Sequence, residues 1–215
     1  MTETFTQGTV GGYLHRPDEP TGDGIVLTHG AGSNCQAPVL VGVARELENA
    51  GMIVLRCDLP FRQARPGGPP RPGDAARDRE GLREAVTAMR GLASGRVYVG
   101  GHSYGGRQAS MLAADDAELV AGLLPLSYPL HPPRRPDELR TAHFPKLVIP
   151  AVFVHGSRDA FGSFEEMRRA LALIQAPTEL VEIEGAGHDL KSSGAGSLAV
   201  RHFTAFLFTR GIIFG

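Results

Sequence analysis

Gly101-His102-Ser103-Tyr104-Gly105 is the stretch that most restricts what this chain can become. An apolar run, Val97-Tyr98-Val99, leads into it, and a helix-compatible stretch, Arg107 to Ala114, follows. A G-x-S-x-G pentapeptide in that setting is a sharp strand-to-helix turn that lifts the serine hydroxyl clear of a sheet. The backbone of such a turn passes very close to itself two residues either side of the serine. A Cβ there would collide, so positions 101 and 105 need glycine. Gly100 and Gly106 add further room. The pentapeptide alone is short enough to arise by chance in a chain with 28 glycines. Its flanks and the partner motifs further along give it weight.

The rest of the chain supplies a sheet for that turn. Residues 4–15 alternate weakly around glycines and read as a short antiparallel hairpin at one sheet edge. Ile25-Val26-Leu27-Thr28 is the first buried-strand candidate, and it ends in His29-Gly30-Ala31-Gly32. Pro38 opens a helix with Leu40, Val43, Ala44 and Leu47 on one side, stopped by Gly51. Ile53 to Leu55 is the next strand, and residues 60–73, rich in Pro, Gly and Arg, read as a long loop. Asp74 is placed to cap a helix whose apolar side is Leu82, Ala85, Val86, Met89 and Leu92. Strands follow at Val97–Gly100, Leu123–Leu126, Ala151–Val154 and Leu180–Ile183. Ser163 and Glu166 have capping-box spacing for a helix through Met167, Ala170, Leu171 and Ile174, broken at Pro177. A last helix uses Leu198, His202, Ala205 and Phe206, with Gly211 as its stop. Continuous apolar strands alternating with amphipathic helices predict a mostly parallel, twisted sheet with helices on both faces, an α/β class. With no linker or repeat in 215 residues, one domain spanning 1–215 is expected.

In such folds the chemistry lies beyond the carboxyl ends of the strands. Each motif here falls at such an end. A serine hydroxyl is a poor nucleophile at neutral pH and needs a base within hydrogen-bond reach, itself oriented by a third group. His188 follows the last strand in Gly185-Ala186-Gly187-His188, and Asp159 follows the strand before it. The order Ser103, Asp159, His188 is a known chain order for a serine, acid and histidine set. Asp58, after the second parallel strand, is a rival acid; Asp189 is adjacent to the base, so its side chain points elsewhere. The amides of Ala31 and Tyr104 are the candidate donors for the negative oxygen of a tetrahedral intermediate. His29 and His102 read as structural. No metal or organic cofactor is called for.

Composition excludes several classes. The formal net charge is −1, which pulls the chain toward neither nucleic acid nor an anionic membrane. Two cysteines are too few for a disulfide framework, and the N-terminus lacks a basic-then-apolar signal pattern. A cytoplasmic protein is the expectation, with room for a homodimer. Its lysines are Lys146 and Lys191 alone, so the basic residues are almost all arginine.

Taken together, Gly101–Gly106, Thr28–Ser33 and Gly185–Asp189 resemble the α/β-hydrolase superfamily over nearly the whole chain. More narrowly, Thr28-His29-Gly30-Ala31-Gly32-Ser33, Tyr128-Pro129-Leu130-His131-Pro132-Pro133 and Leu139-Arg140-Thr141 look like a small cap-less branch related to dienelactone hydrolases. That branch includes a testis-expressed protein and a subunit of a chromatin-acetylating complex. The resemblance implies a three-layer fold, Ser103, Asp159 and His188 in the triad roles, and Ala31 and Tyr104 as oxyanion hole. Position 103 carries serine where dienelactone hydrolases have cysteine. The implied activity is cleavage of a small ester, thioester or lactone through an acyl-serine intermediate. The branch's association with protein complexes supplies a second reading, a hydrolase fold used as an interaction module. Peracid chemistry from the same residues is a third.

About two dozen residues join the fourth parallel strand to the fifth, too few for a helical cap, so an open site is expected. Two loops, 60–73 and 128–145, are placed to line it. Arg62 and Arg65 on the first, with Tyr128 and His131 on the second, are the candidate substrate contacts. Guanidinium groups there suit a carboxylate or phosphate; the other reading is a solvated loop in an arginine-biased chain. The apolar end, Ile212-Ile213-Phe214, packs on the core or meets a partner.

Overall fold

The structure, a computed structural model, describes residues 2–192 and 194–209. Its centre is one eight-stranded sheet, spatial order β1-β2-β4-β3-β5-β6-β7-β8. The strands are β1 (Thr2–Gln7), β2 (Val10–His15), β3 (Gly24–Thr28), β4 (Ile53–Cys57), β5 (Val97–His102), β6 (Leu123–Leu126), β7 (Ala151–Gly156) and β8 (Thr178–Ile183). β1 and β2 form the expected edge hairpin, and β2 runs antiparallel to β4; the remaining pairs are parallel.

Every residue of β3 and β4 is buried. Successive side chains point to opposite faces, so one apolar run feeds two cores. Val26 joins the core beneath α3 (Asp74–Arg90), α4 (Tyr104–Asp115) and α5 (Phe164–Leu171). Ile25 and Leu27 join the core beneath α1 (Pro38–Asn49) and α6 (Ala195–Thr209). Each such side chain, fully buried, contributes about 1.5–3 kcal/mol. The result is the predicted three-layer arrangement. Residues 127–150 hold only a single 3₁₀ turn, Phe144–Lys146, so no large cap covers the sheet. Among the described residues no helix is long and apolar enough to cross a membrane.

The winding reverses at β3. From β3 the chain steps to β4 on one side, then returns to place β5 on the other, with Thr28 opposite Gly101. Loops leaving β3 and β5 therefore part in opposite directions and open a crevice at their carboxyl ends. The turns after Thr28 and His102 both empty into it.

Several local expectations need correction. The 60–73 loop contains a short helix, α2 (Pro60–Ala64), started by Pro60 at a position where proline's missing N–H costs nothing. Asp74 does not cap α3. Gly73, at φ 94°, holds the cap position, and the Asp74 carboxylate instead accepts from Arg71 N–H at 2.7 Å. α5 ends at Leu171, short of Ile174, although its capping box forms with both halves present. α6 packs through Ala199, Phe203, Phe206 and Leu207, a stripe turned from the expected one. Ala205 is exposed and His202 binds Glu179 at 2.5 Å. Gly211 and Ile212–Phe214 lie outside the described residues.

Candidate active site

Glycine makes the turn at the end of β5. A Cβ at Gly101 would sit 2.5 Å from the Thr28 carbonyl oxygen, and one at Gly105 would sit 2.7 Å from those of Thr28 and His29. The obstruction is therefore the neighbouring strand β3 as much as the turn itself. Gly106 would meet Gly101 O at 2.6 Å and Gly100 would meet Leu124 O at 2.3 Å. Ser103 pivots the turn at φ 51°, ψ −114°, a conformation costing about 1–3 kcal/mol. Its N–H donates to Leu126 O at 2.8 Å, which ties the turn to β6. The strain is thus held by packing on both sides.

Two further turns reach toward Ser103. Gly156 ends β7, and a Cβ there would lie 2.4 Å from Ala186 O and 2.6 Å from Gly187 O. Gly185 N–H donates to Ser157 Oγ at 2.8 Å, and Arg158 N–H donates to Ala186 O at 2.9 Å. These contacts lock the loop after β7 against the loop after β8. The lock sets Asp159 beside His188, whose Nδ1 lies 2.8 Å from Oδ2 and 3.0 Å from Oδ1. His188 Nε2 lies 2.7 Å from Ser103 Oγ. An imidazole that gives its Nδ1–H to a carboxylate keeps an Nε2 lone pair, which can take the hydroxyl proton.

The surroundings fix these groups. The Asp159 side chain is 0 % exposed and also accepts from Phe161 N–H at 2.8 Å. Burial alone would raise its carboxyl pKa, but the bond and charge of His188 and the Phe161 N–H outweigh that and hold it low. Phe161 stacks on the His188 ring at 4.1 Å. On the other side His102 donates Nε2–H to the His188 carbonyl at 2.7 Å, and burial lowers its pKa, so it stays neutral. Asp58 does not compete for the base. Its carboxylate accepts from Cys35 N–H at 2.7 Å and lies 3.5 Å from His29 Nε2. Asp189 points away and pairs with Lys191.

The turn after β3 faces the elbow. Ser33 N–H donates to Gly30 O at 3.2 Å, curling Gly30–Ser33 into a tight loop. His29 bonds through Nδ1 to Gly30 O and accepts Leu59 N–H on Nε2, a structural role in which burial lowers its pKa. Ala31 and Tyr104 both line the cleft that contains Ser103. Tyr104 opens α4, so its amide has no acceptor within the helix. The Tyr104 hydroxyl donates to buried Asp78 at 2.7 Å and anchors α4 to α3.

The four expected substrate contacts do not line the cleft. Arg62 is 6 % exposed, and its guanidinium donates to the carbonyls of Ser33, Ala31, Arg65 and Gly68. It supports the Gly30–Ser33 turn from behind. Arg65 donates to Pro69 O and pairs with Asp74. Tyr128 is buried and donates its hydroxyl to Arg140 O at 2.6 Å. His131 is buried, with Nδ1 on Pro132 O. The side chains that do line the cleft, of about 530 Å³, include Arg107, Arg140, Phe161 and Pro129. Arg107 was legible: it stands four residues beyond Ser103, one helical turn on. A hollow of about 600 Å³ near Arg16 and Gly51 sits at the opposite end of the strands, away from Ser103. Among the described residues no cluster of His, Cys, Asp or Glu could hold a metal ion.

Comparison with known proteins agrees with this architecture. Est1E from Butyrivibrio proteoclasticus superposes with TM-score 0.75 at 17 % identity, covering 97 % of this chain and 99 % of that one. Dienelactone hydrolase from Anabaena variabilis gives TM-score 0.75 at 22 % identity, over 97 % and 96 % of the two chains. An alpha-beta serine hydrolase homologue from Coxiella burnetii gives 0.73 at 18 % identity, over 94 % and 96 %. At such identities the likeness is one of fold. A family model described as an alpha/beta hydrolase domain matches residues 22–202, from just before β3 into α6. That span holds β3 to β8, the elbow and the turns converging on it, and the chain belongs to the alpha/beta hydrolase family.

Proposed function

We propose that the protein is a serine hydrolase that cleaves a small ester, thioester or lactone through an acyl-serine intermediate. The observation that carries this reading is the line of contacts from Ser103 Oγ to His188 Nε2 at 2.7 Å and from His188 Nδ1 to Asp159 at 2.8 Å. In the proposed cycle His188 takes the hydroxyl proton as Ser103 attacks the carbonyl. The amides of Ala31 and Tyr104 meet the oxyanion. His188 then returns the proton to the leaving group, and water repeats the sequence on the acyl-serine. Asp159 keeps Nδ1 protonated and stabilises the imidazolium. The esterase domain of a Rhodothermus marinus protein and the dienelactone hydrolase, both of similar fold, support an ester or lactone substrate. The test is hydrolysis of short p-nitrophenyl esters by the wild type and Ser103→Ala. Turnover that the substitution abolishes supports the reading. No turnover of any ester or thioester, or turnover unchanged in Ser103→Ala, sinks it and favours the interaction module.

A further inference from the structure

Two arginines, Arg107 and Arg140, line the cleft that contains Ser103. Arg107 lies four residues after Ser103 on α4, on the same helical face. Arg140 comes from the connection after β6 and donates to Pro129 O at 3.3 Å. The buried Tyr128 hydroxyl holds the Arg140 backbone from below. Among the described residues, no acidic side chain lines this cleft, and Asp159 is screened behind His188.

Among the described residues, neither Arg107 nor Arg140 has a carboxylate within ion-pair distance. Arg168 and Arg169 are both matched by Glu165. Glu138 pairs with Arg135 and Asp115 with Arg79. The Nε–H of Arg107 is buried with no acceptor. Burial and the Arg107 charge both push the Arg140 pKa below the usual guanidinium range. Like charges gathered beside a nucleophile, partly removed from water, raise the free energy of the empty site. An anion entering between them relieves the repulsion.

We propose that Arg107 and Arg140 hold a carboxylate of the substrate, so that the bond cleaved at Ser103 belongs to an acid-bearing compound such as the half-ester of a dicarboxylic acid. This inference rests on the acyl-serine reading above. It moves anion recognition from the 60–73 loop to the elbow helix and the connection after β6.

The experiment compares matched esters that differ in charge. p-Nitrophenyl hemiglutarate against p-nitrophenyl valerate places the acid on the acyl part. 4-Acetoxybenzoate against 4-acetoxybenzamide places it on the leaving group. In at least one pair, wild-type kcat/KM favours the acid by about tenfold or more, the discrimination that a hydrogen bond to a charged group provides. That ratio collapses toward unity in Arg107→Gln and in Arg140→Gln, and shifts toward a choline ester in Arg140→Glu. Because the readout is a ratio, a general loss of rate cancels. Equal or reversed preference in the wild type overturns the inference, as does a preference that survives both glutamine variants. If neutral esters are turned over through Ser103 while neither acid is favoured, only the charge inference falls. If no ester is turned over and Ser103 is unreactive, the acyl-serine reading falls and takes this inference with it.

Discussion

Asp159→Asn isolates the carboxylate from the rest of the site. The side chain is fully buried and accepts from His188 Nδ1 at 2.8 Å and from Phe161 N–H at 2.8 Å. Asparagine has nearly the same shape, so one oxygen can keep the Phe161 bond and the fold should survive. What is lost is the negative charge and an unambiguous acceptor for Nδ1–H. The amide NH₂ turned toward Nδ1 selects the other tautomer, which presents Nε2–H to Ser103 and cannot take the hydroxyl proton. The imidazolium of the transition state also loses its counter-charge. The same replacement in a Ser-His-Asp protease costs about 10⁴ in kcat. Asp159 here is tied by two bonds and shielded from water, so a loss of about 10³–10⁴ is expected, roughly 4–5.5 kcal/mol of barrier. The assay is kcat/KM on a neutral p-nitrophenyl ester, with near-UV circular dichroism confirming equal folding. Asp58→Asn is the control, since its carboxylate serves Cys35 N–H and lies beside His29, and it should cost less than about tenfold. An Asp159→Asn enzyme within tenfold of wild type, or an Asp58→Asn enzyme equally impaired, would refute the assignment of the acid.

Other consequences follow from the same contacts. Gly105→Ala forces a Cβ to 2.7 Å from the carbonyl oxygens of Thr28 and His29, so stability falls by at least about 2 kcal/mol in urea unfolding; an unchanged midpoint contradicts the clash. Arg62→Gln strips four carbonyls of their shared donor and should cost about 2–4 kcal/mol while lowering kcat through a loosened Gly30–Ser33 turn. A variant with wild-type stability and kcat would restore Arg62 as a spectator. Stability should also fall with acid. Burial leads in lowering the pKa of His15, His29, His102, His143 and His155, to about 4 for His143. The unfolded chain therefore binds protons first, and the stabilisation present above about pH 6.5 is lost as pH falls toward the folded values. Urea midpoints that match at pH 7.5 and pH 5 would show that these imidazoles are not held neutral.

The strands and the elbow were legible because each is encoded locally, by a continuous apolar run and by glycines where backbones touch. α2 was missed because five residues are too few for a periodic signal, and Pro60 was its lone mark. α6 was found with its phase misread. Leu198 and Phe206 do reach the core, but Phe203 and Leu207 join them in place of His202 and Ala205, and packing on the sheet, not the helix's own pattern, decides between them. Arg62 looked available for substrate because sequence does not show where unpaired carbonyls gather. The glycine-rich turn at Gly30–Ser33 leaves its carbonyls without strand partners, and the buried guanidinium satisfies them. Arg140 enters the cleft through the path of a long irregular connection, which no local pattern determines.

The most direct measurement is reaction with an active-site-directed fluorophosphonate, followed by intact mass and peptide mapping. A hydroxyl activated by His188 at 2.7 Å should take one phosphonyl group, on the peptide holding Ser103. Ser103→Ala should take none, and His188→Gln should react more slowly by about 10³ or more. An adduct on another residue, labelling that persists in Ser103→Ala, or a His188→Gln variant that reacts at the wild-type rate would contradict the account.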